Sequence, residues 1–99
     1  MANNLIILPG AEADMRQGYA WYERQREGLG DEFLEHVEVC FRRILANPRM
    51  HTAVLENYRR AVLRRFPYVI LYEFADDVVT VYSVFHTSQD PEKWKSRLP

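Results

Sequence analysis

The chain has 99 residues, of which 47% are apolar and 27% charged, with a formal net charge of −1 at pH 7. That length supports one domain, residues 1–99, with one modest core, and the composition excludes an intrinsically disordered chain. The near-neutral total conceals a division: residues 1–40 carry eight acids and three bases, net −5, and residues 41–99 carry ten bases and six acids, net +4, which predicts an acidic half and a basic half with different partners.

The first apolar run, residues 5–8, has no basic segment ahead of it and is far too short to span a membrane, so neither a signal peptide nor a membrane contact is expected, and a cytoplasmic location is. Bounded by Asn3 and Asn4 on one side and Pro9 and Gly10 on the other, it reads as a buried strand. A helix follows over residues 11–26: Ala11, Met15, Tyr19 and Tyr22 recur at helical spacing, with Glu12 and Asp14 at its positive end and Arg24 and Arg26 at its negative one. Gly28, Leu29 and Gly30 end it, and Asp31 is the expected N-cap of a second helix with the stripe Phe33, Val37, Cys40, Ile44. Cys40 stands alone, which excludes an internal disulfide, and its place in that stripe suits a small buried hydrophobe better than a nucleophile. Asn47 and Pro48 stop the helix; residues 49–57 have no clear period and read as a loop.

Three strands then follow in succession, over residues 58–65, 68–74 and 78–86, because β-branched and aromatic residues fill each run while Phe66-Pro67 and Asp76-Asp77 punctuate them. In the first of the three, Ala61 and Leu63 share one face and Arg60, Val62 and Arg64 the other. Arg59, Arg60, Arg64 and Arg65 concentrate at its two ends, which suggests a basic edge or face offered to something acidic; exposed arginines there also discourage strand pairing. A short helix over residues 91–97 closes the chain. Within it, Trp94 between Lys93 and Lys95 is either an aromatic anchor with a cationic rim or a ring packed onto the sheet. The fold class is α+β: an N-terminal strand, a helical hairpin, a three-stranded antiparallel meander and a short C-terminal helix, with the two longer helices on one face of the sheet. His36, His51 and His86 are scattered, no metal-ligand spacing occurs and no glycine-rich phosphate loop is present, so no metal or organic cofactor is expected.

The order of elements, together with Ala11-Glu12-Ala13-Asp14, Trp21-Tyr22-Glu23-Arg24-Gln25, Gly28-Leu29-Gly30-Asp31-Glu32-Phe33, Leu63-Arg64-Arg65-Phe66-Pro67-Tyr68, Val84-Phe85-His86 and Asp90-Pro91-Glu92-Lys93-Trp94, resembles the RelE/ParE superfamily of type II toxin–antitoxin modules, and most of all its ParE branch. The resemblance covers nearly the whole chain. It implies a bacterial toxin of a plasmid-stabilisation type module, held inactive by a cognate antitoxin whose C-terminal segment wraps around it. ParE members inhibit DNA gyrase by binding, whereas RelE members are endoribonucleases that cut messenger RNA on the ribosome; a non-toxic, antitoxin-binding member of the same fold is the third reading. A homo-oligomer is compatible with all three.

The residues bear on that choice. The nuclease branch carries a key arginine after the tyrosine of the meander's second strand, and here Tyr68 is followed by Val69, which has no charge to clamp a phosphate. His86, as a proton-transfer group, and Arg60, as a phosphate contact, are the catalytic candidates under the nuclease reading. After His86 this chain has Thr87-Ser88-Gln89 where relatives often carry arginines. Under the gyrase reading the expected target contacts are Arg59, Arg60, Arg64, Arg65, Lys93, Trp94 and Lys95, and the expected antitoxin contacts are Tyr19, Trp21, Tyr22 and Phe41.

Overall fold

A computed structural model describes residues 4–99; Asn3, one flank expected for the first strand, lies outside the described residues. The strand β1, Asn4–Ile7, leads into α1, Pro9–Gln25, and α2, Leu29–Ala46. Four strands follow, β2 (Thr52–Leu55), β3 (Tyr58–Val62), β4 (Tyr68–Ala75) and β5 (Val78–His86), before the short α3, Pro91–Lys95. They form one sheet in the order β1-β5-β4-β3-β2. β1 runs parallel to β5, and the other pairings are antiparallel. Among the described residues no helix is long and apolar enough to cross a membrane.

The α+β order matches the sequence expectation, with local corrections. The segment read as a loop over residues 49–57 contains β2, so the meander has four strands; β2 is an edge strand with exposed side chains and a register shift between Ala53 and Leu55, and a half-bonded, bulged strand of four residues leaves little periodicity to read. Asp31 is not the N-cap of α2. Gly28 holds that position at φ +87°, a left-handed conformation that glycine adopts without a Cβ penalty. The carboxylate of Glu23, reaching across from α1, accepts hydrogen bonds from the Gly28 and Gly30 amides at 3.2 and 2.8 Å. A cap supplied by the preceding helix has no local sequence signature. Gly30 is also where the hairpin closes: a Cβ there would stand 2.7 Å from the Tyr19 ring and carbonyl oxygen.

Pro9 opens α1, where its missing N–H costs nothing, and the Leu8 carbonyl accepts the Glu12 amide at 3.0 Å. Asp76 and Asp77 both take positive φ, 53° and 61°, which lets a two-residue turn follow the strand twist between β4 and β5. Asp90 caps α3 by accepting the Glu92 amide at 3.0 Å, and the helix ends at Lys95 rather than Arg97.

The pleat divides the sheet. On the face under α1 and α2, Ile70, Tyr72, Val79, Val81 and Val84 pack against Phe33, Val37, Cys40 and Ile44, all essentially inaccessible. Full burial of one such side chain contributes roughly 1.5–3 kcal/mol. Tyr22, Phe33, Phe66 and Tyr68 form an aromatic cluster in the same layer, with ring centroids 4.8–6.1 Å apart. Periodicity did not say which tyrosines are core; Tyr72 is, and its hydroxyl donates to the Pro48 carbonyl at 2.6 Å.

Candidate functional site

Among the described residues, α3 is the helix that packs on the other sheet face. Tyr58, Arg60 and Val62 of β3 point there in register with Glu73, Leu71 and Val69 of β4, and Val69 is in turn opposite Phe85 of β5. The Trp94 indole stacks on Phe85 at 5.6 Å and 20° between planes. Between them lies a slot of about 180 Å³ lined by Val54, Arg60, Val69, Leu71, Phe85 and Trp94. Its apolar floor is edged by the Arg60 guanidinium and by the polar side chains of Thr87 and Gln89. Next to it, burial and hydrogen bonding to Tyr58 and Glu73 push the Tyr82 hydroxyl up to about 12, so it stays protonated at neutral pH.

A bidentate ion pair helps to hold α3 in place: Arg97 donates two hydrogen bonds to Asp14, the one to Oδ1 at 2.8 Å. Asp14 Oδ2 also accepts from the Val84 amide at 2.9 Å and the Ser83 hydroxyl at 3.1 Å. One carboxylate therefore joins α1, β5 and the C-terminal segment. In sequence Asp14 is only an acid in the first turns of a helix, because its partners lie up to 83 residues away.

The residues singled out from sequence fall in several places. Arg60 lines the apolar slot, but His86 lies on the opposite face, in register with Tyr68 and 5.2 Å from its ring centroid. The two nuclease candidates are thus not brought together. Val69, where the nuclease branch has its arginine, is buried in the slot. Arg59 is committed, donating to the His51 carbonyl at 2.7 Å; Arg65 pairs with Glu32 at 3.0 Å and Lys95 with Glu92 at 3.6 Å, while Arg60, Arg64 and Lys93 have no acidic partner within 4 Å among the described residues. The expected target contacts of the strand ends and of the C-terminal helix are therefore distributed: Arg60 and Trp94 share the slot, with Lys93 and Lys95 beside Trp94 on α3, and Arg64 and Arg65 stand in the β3–β4 turn.

Of the four aromatics expected to meet a partner, Tyr22 and Phe41 are core residues, 8% and 5% exposed, because helical periodicity turns them toward the sheet. Trp21 is 51% exposed, and Tyr19 lines an apolar depression of about 310 Å³ with Ile7, Met15 and Leu34, edged by Glu12 and Arg16. Ile7 and Leu34 were not singled out as contacts, since in sequence they are indistinguishable from core. Cys40 is buried, and burial pushes its thiol up. His36, His51 and His86 each sit beside a different aromatic ring, Phe66, Tyr72 and Tyr68, and among the described residues no group of three or more His, Cys, Asp or Glu side chains is placed to hold a metal ion.

Residues 5–91 match the sequence model of a family described as the ParE toxin of the type II toxin–antitoxin system, parDE. Comparison with curated proteins gives no match. Among solved structures, the chain is similar to one of the chromosomal ParDE toxin–antitoxin system of P. aeruginosa, with TM-score 0.63 and 13% identity over 84% of this chain and 94% of that one. It is also similar to the isolated E. coli RelE toxin, with TM-score 0.66 and 20% identity over 96% and 95% of the two chains. A third similar structure is a substituted E. coli RelE in complex with an antitoxin peptide, with TM-score 0.64 and 21% identity over 100% and 97%. These likenesses place the fold.

Proposed function

The chain belongs to the ParE toxin family of type II toxin–antitoxin systems, and from that premise we propose that it arrests bacterial growth by binding and inhibiting DNA gyrase rather than by cutting RNA, and that a cognate antitoxin segment neutralises it. The observation that carries the choice of mechanism is the separation of Arg60 and His86 onto opposite sheet faces, with Val69 buried where a third polar group would have to stand. Transfer of a phosphoryl group from a 2′-hydroxyl requires a proton acceptor, a proton donor and charge stabilisation within reach of one phosphate. Inhibition by binding needs no such convergence.

Arg60 and Trp94 in the slot, with Lys93 and Lys95 on α3 and, separately, Arg64 and Arg65 in the β3–β4 turn, are the proposed target contacts, steering an acidic protein surface toward the molecule. Arg59, tied to the His51 carbonyl, is a scaffold residue in this reading. Supercoiling by purified gyrase should fall as the protein is added, and charge reversal at Arg64 and Arg65 should weaken the effect without unfolding the domain. Untouched supercoiling with cleavage of ribosome-bound messenger RNA, abolished by His86→Ala, would establish the nuclease reading instead.

For the antitoxin, the hairpin offers the apolar depression around Ile7, Met15, Tyr19 and Leu34, next to β1, a sheet-edge strand without a charged side chain. A peptide can add main-chain hydrogen bonds at such an edge and set apolar side chains into the depression. Hydrogen exchange with and without the cognate peptide is the test: unchanged protection across residues 4–45 would refute this docking site.

A further inference from the structure

Among the described residues β1 pairs with residues 78–81 of β5 only, so β5 from Tyr82 to His86 has no described strand on that side. Side chains close the gap: Asp14 accepts the Val84 amide, Gln89 Oε1 accepts the His86 amide at 2.8 Å, and Arg97 donates to the Tyr82 carbonyl at 3.4 Å. A partner strand cannot add there while these bonds stand. Around the closed edge runs a groove made of two depressions that share Asp14, Gln17 and Gln89. The larger, about 370 Å³, is walled by Trp21, Tyr68 and His86; the smaller, about 150 Å³, is lined by Lys93, Trp94 and Arg97.

The two ends differ in chemistry. At the aromatic end the one acid, Asp14, is neutralised by Arg97 and has both oxygens engaged. His86 Nδ1 accepts the Ser88 amide at 3.0 Å, which leaves Nε2 to carry the ring N–H. Three π systems around a hollow whose one acid is already ion-paired suit a planar aromatic side chain. At the other end the Lys93 ammonium has no acid within 4 Å among the described residues. Between them the side-chain amides of Gln17 and Gln89 can pair with a peptide backbone.

We propose that this groove binds an extended peptide segment of the target protein carrying an aromatic residue, seated among Trp21, Tyr68 and His86, and a nearby acidic residue, held by Lys93. The proposal rests on the binding-inhibitor reading above and extends the target surface from the slot, across Trp94, to the Trp21 side of the sheet. One carboxylate matches one uncommitted ammonium; a nucleic-acid backbone would need a run of cations that the groove lacks.

The test uses the whole 15N-labelled chain, whose two indole N–H signals report on Trp21 and Trp94 separately. The probes are the blocked tripeptide acetyl-Phe-Gly-Glu-amide, its Ala-for-Phe and Lys-for-Glu counterparts, and uridine monophosphate. The first peptide should shift the Trp21 indole and the Gln17 and Gln89 side-chain amides, and each altered peptide should bind about tenfold more weakly. Trp21→Ala and Lys93→Glu, both at exposed positions, should weaken the first peptide to a similar degree, whereas Arg42→Ala, at an exposed position of α2 that lines neither depression, should not. Equal shifts with all three peptides, or tighter binding of the nucleotide, would overturn the proposal. In the supercoiling assay Trp21→Ala should also lose inhibition. Full inhibition by that variant overturns the groove while leaving the gyrase reading intact, and absence of inhibition by the unaltered chain refutes the gyrase reading while the peptide titration still decides the groove.

Discussion

The two faces of the sheet are built on different principles. The face under α1 and α2 is filled by inaccessible aliphatic and aromatic side chains interlocking from both helices and the central strands. The opposite face is covered by five helical residues, held by one indole stacked on Phe85, with a bidentate ion pair just beyond them. One face supplies most of the folding free energy. The other keeps a slot, a cover of low intrinsic stability and two cations, Arg60 in the slot and Lys93 on α3, without an acidic partner within 4 Å among the described residues, which is how a small domain combines a stable core with a surface free to bind.

Large-to-small substitutions test that contrast most directly. Phe33→Ala, at an inaccessible position among Tyr22, Phe66 and Tyr68, should destabilise the chain by about 3–5 kcal/mol, whereas Trp94→Ala should cost about 1 kcal/mol, the scale of one partly exposed aromatic pair. Urea unfolding of the two variants gives both numbers, and comparable losses would erase the distinction between the faces.

Asp14→Asn comes next. It removes the charge that pairs Arg97 and weakens the bond to the Val84 amide, at a carboxylate whose side chain is 12% exposed. A stability loss of about 1–3 kcal/mol is expected, with faster amide exchange in residues 90–98 and at Val84 while the α2 amides stay protected. Tyr72→Phe should have a smaller effect, about 1 kcal/mol, by leaving the buried Pro48 carbonyl without its donor.

The smallest effect concerns pH. Burial first, then the charges of Arg43 and Arg59, hold His51 below its usual range, so folding favours the neutral ring. Above pH 6.5 the ring is neutral in both states and contributes no slope. As pH falls through 6.5 the unfolded chain takes up the proton first, and stability drops until the folded-state value is passed. Denaturation midpoints between pH 7.5 and 5 should show this fall, and His51→Gln should reduce it; a midpoint that rises on acidification would contradict the assignment.

Much of the core could be read in advance. The stripe Phe33, Val37, Cys40, Ile44 is local, because helical periodicity alone turns it inward, and Ala61 and Leu63 face the helices as strand alternation requires. The candidate site was less legible. Tyr19, Trp21, Tyr22 and Phe41 look alike as aromatics on helices, yet two are core and one is half exposed, a difference fixed by how each helix is rotated against the sheet. Arg59, Arg60, Arg64 and Arg65 look like one cluster, yet the pleat and the turn send them to a carbonyl, a slot, solvent and Glu32.

The sequence by itself determined the order of every element except β2, the α+β class, the resemblance to toxins of this family and the absence of an arginine after Tyr68, since each depends on residues close in the chain or on composition. The tertiary structure alone decided that Glu23 caps the second helix, that Asp14 ties the first helix to β5 and to the C-terminal segment, and that Arg60 and His86 face away from one another. Those outcomes follow from strand register, helix rotation and contacts across tens of residues, and charge or period within a short window carries no record of them.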